Sequence, residues 1–146
     1  MAVRELLKYE AIEHIDLVDL DPEITDLFRT RPDLSQLNGD ALNDSRVRIH
    51  NEDAFGYLRD NEGVYDVIIA DLPDPNNLSL SKLYTRQFYR LMVKRLNPSG
   101  VFVTQASSPF MTRRAFWCIV HTLEAVKGRA PGSPALEVRP YPAHVP

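Results

Sequence analysis

The feature that most constrains the fold of this chain is a short apolar run that ends abruptly in two carboxylates and two prolines. The run Val67–Ala70 is β-rich and short, which is typical of a strand buried on both faces of a parallel sheet. Asp71 and Asp74 follow it, and Pro73 and Pro75 can neither continue a strand nor easily enter a helix. The sequence therefore predicts a loop at the carboxyl end of this strand, where ligands bind in open α/β sheets.

Segments with the patterns of strands and helices alternate along the chain, which predicts an α/β fold with a parallel sheet and helices packed on its faces. The predicted strands are 14–18, 47–50, 65–70 and 101–105. The predicted helices are 3–8, 22–29, 54–60, 83–96 and 113–126. Between them we expect a surface loop with one helical turn at 30–45, the acidic loop at 71–77, a turn at 97–100, a loop at 127–134 and the beginning of a strand at 136–139.

Length and composition favour a single domain over residues 1–146, because 146 residues with 44% hydrophobic side chains suffice for one core. A net charge of −3 offers no general electrostatic basis for binding nucleic acid. No apolar stretch approaches the ~20 residues of a membrane span. Cys118 lies in an apolar run and is predicted to be a buried thiol of a cytoplasmic protein, on a helix whose core face includes Phe116 and Trp117. The four histidines lack the spacing of metal ligands, so no metal site is expected.

Polar residues stand at the end of each predicted strand, namely Asp19, Asn51, Asp71 and Gln105. Parallel strands place their carboxyl ends along one edge of a sheet. The order of the elements therefore predicts that Asp19, Asp53, Asp71 and Gln105 meet in one crevice. Two acids on the loop after the third strand suggest a cationic substrate or a general base.

Each acid also has a simpler interpretation. Asp19 can accept hydrogen bonds from ribose hydroxyls, but Asp19 or Asp21 can instead cap the next helix, and Asp21 is the better candidate for the cap. Asp53 can accept a hydrogen bond from an adenine amino group or cap the helix that follows it. Asp71 and Asp74 can be solvated acids of a turn, although their place at the ligand edge favours a functional role.

The residues of these segments resemble the polyamine aminopropyltransferases, the family of spermidine synthase and its bacterial relatives. The resemblance covers almost the whole chain. It includes Val18-Asp19-Leu20-Asp21, Asn51-Glu52-Asp53-Ala54, the segment 65–75, Ser81-Lys82-Leu83-Tyr84, Phe88-Tyr89 and the strand ending in Gln105. Leu72-Pro73 and Asn76-Asn77 depart from the commoner small residues of the family loop and resemble a bacterial branch of the family.

The resemblance implies a Rossmann-like, methyltransferase-type sheet and the transfer of an aminopropyl group. The donor would be decarboxylated S-adenosylmethionine and the acceptor a diamine, with putrescine as the default, which gives spermidine and methylthioadenosine. No cofactor or metal is implied beyond this co-substrate. Asp71 would be the catalytic base. Substrate binding would fall to Asp74, Asp19, Asp53, Gln105 and Tyr84, of which Asp19 and Asp53 would hold the nucleoside.

The resemblance also implies that several parts of the family fold lie outside this sequence. They are the Gly-rich nucleotide loop, the central strand before it, a small N-terminal β-domain and the last two strands. We therefore expect an incomplete sheet, weak stability as a monomer, a homo-oligomer if the chain is well folded, and little activity in the isolated chain. The alternatives are an S-adenosylmethionine-dependent methyltransferase, which shares the fold and the ribose acid, and a non-catalytic partial domain.

Overall fold

The computed structural model describes residues 2–126 and 136–141. The chain divides into two compact units, Met1–Asp60 and Asn61–Pro146. Each unit contains a pair of parallel strands joined through helices, and this confirms the predicted α/β fold with parallel strands. A single nucleoside-binding domain over 1–146 stays a prediction.

The first unit follows the predicted order of elements except in the region 30–45, where it contains an additional helix. Its elements are α1 (Ala2–Leu6), β1 (Ile15–Asp19), α2 (Pro22–Thr30), α3 (Pro32–Asn38), a 3-10 turn (Ala41–Asn43), β2 (Val47–Asn51) and α4 (Ala54–Asp60). Strands β1 and β2 pair in parallel, from Ile15 opposite Val47 to Asp19 opposite Asn51. The helix α4 has the predicted bounds.

The region 30–45 contains more helix than the single turn predicted for it. Pro32 occupies the first turn of α3, and Gly39 ends this helix with a φ of 67°, a left-handed conformation that favours glycine. The buried side chain of Asn38 donates to the carbonyl of Phe28 at 2.9 Å and accepts from the amide of Ala41 at 3.0 Å. These bonds stabilise a polar segment that the hydrophobic pattern alone does not identify as helical.

The second unit contains the acidic loop. Its elements are β3 (Tyr65–Ala70), α5 (Leu78–Ser81), a 3-10 turn (Lys82–Tyr84), α6 (Arg86–Lys94), β4 (Leu96–Thr104) and α7 (Arg113–Glu124). Strands β3 and β4 pair in parallel, with Ala70 opposite Thr104 at their carboxyl ends. The bounds of β3 are those predicted.

The helix predicted at 83–96 is shorter, because Thr85 interrupts it. Thr85 has extended backbone angles, and its side chain accepts a hydrogen bond from the amide of Phe88 at 3.3 Å. It therefore caps α6. The preceding residues form a separate 3-10 turn that buries Leu83 and Tyr84.

The turn predicted at 97–100 is a bulge inside β4. Tyr65 lies opposite Leu96, whereas Val67 lies opposite Val101, so the extra residues belong to β4. A Cβ atom on Gly100 would lie 3.0 Å from the carbonyl oxygens of both Tyr65 and Asn97. Only glycine fits this close approach without a shift of the backbone.

The core of the second unit lies between α6, β4 and α7. Phe88 and Tyr89 are completely buried, and the ring of Tyr89 lies 5.9 Å from that of Phe102. On α7 the buried positions are Phe116, Ile119, Val120 and Leu123, which recur at helical spacing.

Two predicted core residues of α7 are exposed. Trp117 is 42% exposed and Cys118 is an exposed free thiol, so the predictions of a core tryptophan and a buried cysteine were wrong. Both residues follow the buried Phe116 and precede Ile119, and they therefore lie on the opposite side of the helix. The ring of Trp117 stacks on His121 at 5.9 Å.

The prediction that β3 is buried on both faces was also wrong. Val67 is 55% exposed and Ile69 is 44% exposed, and their neighbours Val101 and Val103 on β4 are exposed as well. These four valine and isoleucine side chains share one face of the sheet. We call this surface the apolar sheet face.

At the end of the chain, residues 136–141 are not a strand, in contrast to the prediction for 136–139. The loop predicted at 127–134 lies outside the described residues. No helix within the described ranges is both long and apolar enough to cross a bilayer.

Candidate functional site

Asp19 and Asp53 lie at the carboxyl edge of the β1–β2 sheet, as predicted. Asp19 is the last residue of β1 and is paired in register with Asn51, the last residue of β2. Asp53 follows two residues later, just before α4. The parallel pairing therefore brings two carboxylates, 34 positions apart in sequence, to one edge of this unit.

Asp19 and Asp21 accept hydrogen bonds from different backbone amides at the beginning of α2. The Oδ1 atom of Asp21 accepts a hydrogen bond from the amide of Glu23 at 2.9 Å, so Asp21 caps the helix as predicted. The Oδ1 atom of Asp19 accepts from the amide of Asp21 at 2.9 Å and so closes the preceding turn. Asp19 is half-buried and oriented by its own turn. Its role toward a ribose stays a prediction.

Asp53 shows the capping contact of the simpler interpretation. Its Oδ2 atom accepts from the amide of Gly56 at 3.2 Å, in the first turn of α4. A carboxylate has several lone pairs and can accept a further hydrogen bond from a ligand. Its predicted contact with adenine is compatible with the cap.

The acidic loop begins directly after β3. Asp71 and Asp74 are both exposed, so both carboxylates face solvent and can reach a substrate. The amide of Asn76 donates to the carbonyl of Asp74 at 2.7 Å, and the side chain of Asn77 caps α5 by accepting from Leu80 at 2.9 Å. The loop is therefore fixed at its far end by a cap.

Tyr84 and Gln105 contact the main chain between the two acids. The hydroxyl of the buried Tyr84 lies 3.1 Å from the carbonyl oxygen of Pro73 and 3.3 Å from that of Leu72, and its single proton is shared between the two acceptors. The side-chain amide of Gln105 donates to the carbonyl of Leu72 and lies 3.5 Å from the Tyr84 hydroxyl. Because Gln105 follows β4, it lies at the same sheet edge as the loop.

The carboxylates of Asp71 and Asp74 also influence the pKa of Tyr84. Burial, and then the charges of Asp74 and Asp71, raise the pKa of Tyr84 to about 12. The hydroxyl consequently remains a neutral hydrogen-bond donor at and well above neutral pH.

The structure thus brings together the predicted residues within each unit. Asp19 is grouped with Asp53, and the acidic loop is grouped with Tyr84 and Gln105. The meeting of both groups in one crevice stays a prediction. Sequence analysis missed the backbone carbonyls of Leu72 and Pro73 as acceptors, since no side-chain pattern identifies a backbone acceptor. Among the described residues, no cluster of three histidine, cysteine, aspartate or glutamate side chains is arranged to hold a metal.

Comparison with known proteins identifies the family. The family model described as the spermine/spermidine synthase domain matches residues 1–143. The chain is 44% identical over 125 residues to the polyamine aminopropyltransferase of Oceanobacillus iheyensis, a match that covers 86% of this chain and 24% of the relative. It is 41% identical over 126 residues to that of Leptospira interrogans, which covers 86% of this chain and 25% of the relative.

Solved structures agree with these sequence relationships. A spermidine synthase in complex with the transition-state analogue AdoDATO superposes with a TM-score of 0.75 and 27% identity, over 85% of this chain and 41% of that chain. The spermidine synthase of Thermotoga maritima superposes with a TM-score of 0.70 and 25% identity, over 85% of this chain and 40% of that chain. The chain spans about a quarter of the length of the two curated relatives. By its sequence and its fold, this chain belongs to the spermine/spermidine synthase family.

Proposed function

We propose that this chain carries the nucleoside and amine sites of a polyamine aminopropyltransferase. The observation that carries the proposal is the pair of exposed carboxylates, Asp71 and Asp74, on a loop that directly follows β3 and is held by residues of the same unit. The donor is decarboxylated S-adenosylmethionine, the acceptor is a diamine with putrescine as the default, and no further cofactor takes part.

The reaction is a displacement at a carbon that is already activated by a sulfonium. The carboxylate of Asp71 accepts a proton from one ammonium group of the diamine, which gives the nitrogen a free lone pair. This nitrogen forms a bond to the aminopropyl carbon next to sulfur while the carbon–sulfur bond breaks and its electrons remain on sulfur. The products are neutral methylthioadenosine and, from putrescine, spermidine. The proton leaves Asp71 for solvent.

The remaining residues bind and orient the two substrates. Asp74 pairs with the second ammonium group and holds the diamine in line for attack, a proximity effect. Asp19 accepts hydrogen bonds from the ribose hydroxyls and Asp53 from the adenine amino group. Tyr84 and Gln105 form the wall of the amine site.

Calorimetric titration with methylthioadenosine tests the nucleoside site. We expect the wild-type chain to bind and Asp19→Ala to lose binding. Asp26→Ala is the matched control, because Asp26 is an exposed acid on α2 that pairs with Arg29. If a folded wild-type chain shows no binding, or if Asp19→Ala binds as tightly as Asp26→Ala, the nucleoside site is placed wrongly.

Assays with two donors test the reaction type. With putrescine as acceptor, we expect the turnover of the isolated chain to be low, and we expect it with decarboxylated S-adenosylmethionine and not with S-adenosylmethionine. Asp71→Asn should lower any such turnover by about 10²- to 10⁴-fold, the usual contribution of a general base. Turnover only with S-adenosylmethionine would identify a methyltransferase instead. The homo-oligomer and the cytoplasmic location stay predictions.

A further inference from the structure

The backbone between the two acids has few free torsions. The rings of Pro73 and Pro75 fix their own φ angles near −65°. Leu72 and Asp74 each precede a proline, and this position excludes most helical conformations and favours extended ones. Covalent geometry alone therefore limits how far the carboxylates of Asp71 and Asp74 can move relative to each other.

Hydrogen bonds restrict the torsions that remain. The carbonyl of Leu72 belongs to the peptide unit that enters Pro73, and the carbonyl of Pro73 belongs to the unit that enters Asp74. The single hydroxyl proton of Tyr84 is shared between both carbonyls, and Gln105 donates to the first. Two of the three peptide planes between the acids are thus held from outside the loop by one buried ring and one side-chain amide at the end of β4.

We propose that Tyr84 and Gln105 are positioning residues that hold the two loop carboxylates at a fixed spacing, and that this spacing selects the diamine by the separation of its two nitrogens. The inference rests on the proposed function, in which Asp71 serves the attacked nitrogen and Asp74 the distant one. A diamine one methylene longer places its second ammonium beyond the position that a rigid loop offers. A flexible loop accommodates both lengths.

The environment of Tyr84 supports this role. Only 8% of the residue is exposed, so the ring cannot move without disturbing the core. Its pKa is raised to about 12, so the hydroxyl remains a hydrogen-bond donor to the loop at neutral and mildly alkaline pH.

NMR spectroscopy of the full 146-residue chain tests the proposal with a matched pair of variants. Tyr84→Phe removes the positioning hydroxyl. Tyr89→Phe removes the hydroxyl of a completely buried tyrosine of the same unit, whose ring packs against Phe102 in the core. The probes are the backbone amides of Leu72 and Asp74, because the prolines between and after them have none. Putrescine and cadaverine are titrated separately into the wild type and both variants.

We expect Tyr84→Phe to lower the order parameter of the Asp74 amide from about 0.85 toward 0.6. Putrescine affinity should fall about fivefold, in line with the loss of one hydrogen bond. The ratio of putrescine affinity to cadaverine affinity should also fall. A simple loss of stability would not change this ratio. Tyr89→Phe should leave all three quantities unchanged. Gln105→Leu, at an exposed position, provides a second test of the same loop if Tyr84→Phe folds poorly.

The outcomes separate this inference from the proposed function. If the loop of Tyr84→Phe stays ordered while the wild type binds putrescine normally, the positioning role is overturned alone. If the loop loosens but the putrescine-to-cadaverine preference does not change, the selectivity role is overturned. If the wild type binds neither diamine, the proposed amine site is overturned, and the order parameters still decide whether Tyr84 fixes the loop.

Discussion

The Nε2 atom of His50 lies 3.0 Å from Oδ1 of Asp16, and this contact joins β2 to β1 across 34 positions of sequence. The side chains are only 30% and 22% exposed, and the ring of His50 also packs against Tyr57 at 4.9 Å. The pair therefore ties the two strands that present Asp19 and Asp53 to the α4 helix that follows them.

Asp16→Ala should destabilise the chain by about 1 kcal/mol, because a partly buried hydrogen-bonded partner is lost. Asp26→Ala removes an exposed ion pair with Arg29 on α2 and should change stability by less than about 0.5 kcal/mol. Urea unfolding of both variants at neutral pH measures the difference. Equal midpoints would show that the contact between His50 and Asp16 contributes nothing.

Gly100→Ala should destabilise the chain by about 1 to 3 kcal/mol, since the new methyl group would press on two backbone carbonyls in the β4 bulge. Gly56→Ala is the counterpart. A Cβ atom there meets nothing within 4 Å on the helix α4, and alanine should stabilise by about 0.5 to 1 kcal/mol. Thermal melts of the two variants should shift in opposite directions, and a shift in the same direction would contradict the geometry of the bulge.

Alkaline pH should destabilise the chain through Tyr84. Its pKa is about 12 in the folded chain and near its ordinary value of 10 in the unfolded one. The stabilising contribution is therefore complete below pH 10 and is lost as the pH rises through about 12, because the unfolded chain loses this proton first. Urea midpoints of the wild type should fall more steeply in this window than those of Tyr84→Phe. An absorbance titration in which Tyr84 ionises at the ordinary pKa of tyrosine would refute the argument.

The apolar sheet face should promote self-association. Exposed valine and isoleucine side chains on one face of β3 and β4 form a contiguous apolar patch. We expect sedimentation velocity to show association that increases with concentration, and Ile69→Thr with Val103→Thr to reduce it without loss of the folded state. A double variant that associates as strongly as the wild type would exclude this face as the contact.

The bounds of several helices and strands could be predicted from the local pattern of apolar, polar, glycine and proline residues. The strand β3 and the helix α4 have their predicted bounds because proline, glycine and polar residues delimit them in sequence. The helix α3 was underestimated because its stability comes from the buried Asn38, whose partners are backbone groups of other segments. Amphipathic patterns identify packing against a core, and they do not detect such contacts.

The part of the site that could be predicted is the position of residues at the ends of paired strands, because strand order determines it. Parallel pairing places Asp19 beside the end of β2 and Gln105 beside the acidic loop, and both placements follow from strand order. Whether a strand is covered on both faces depends on what packs there, and the exposed Val67 shows that an apolar run does not decide it. The contact of Tyr84 with two backbone carbonyls joins residues 11 and 12 positions apart, and no side-chain pattern predicts a backbone acceptor at that distance.

The separate pairing of the strands has a consequence for how the chain acquires its structure during synthesis. Ile15 pairs with Val47 and Ala70 with Thr104, so each sheet closes within its own half of the sequence. A growing chain in which residues 1–60 have left the ribosome already contains both strands of the first sheet. The edge that carries Asp19 and Asp53 can therefore form before β3 has emerged from the ribosome.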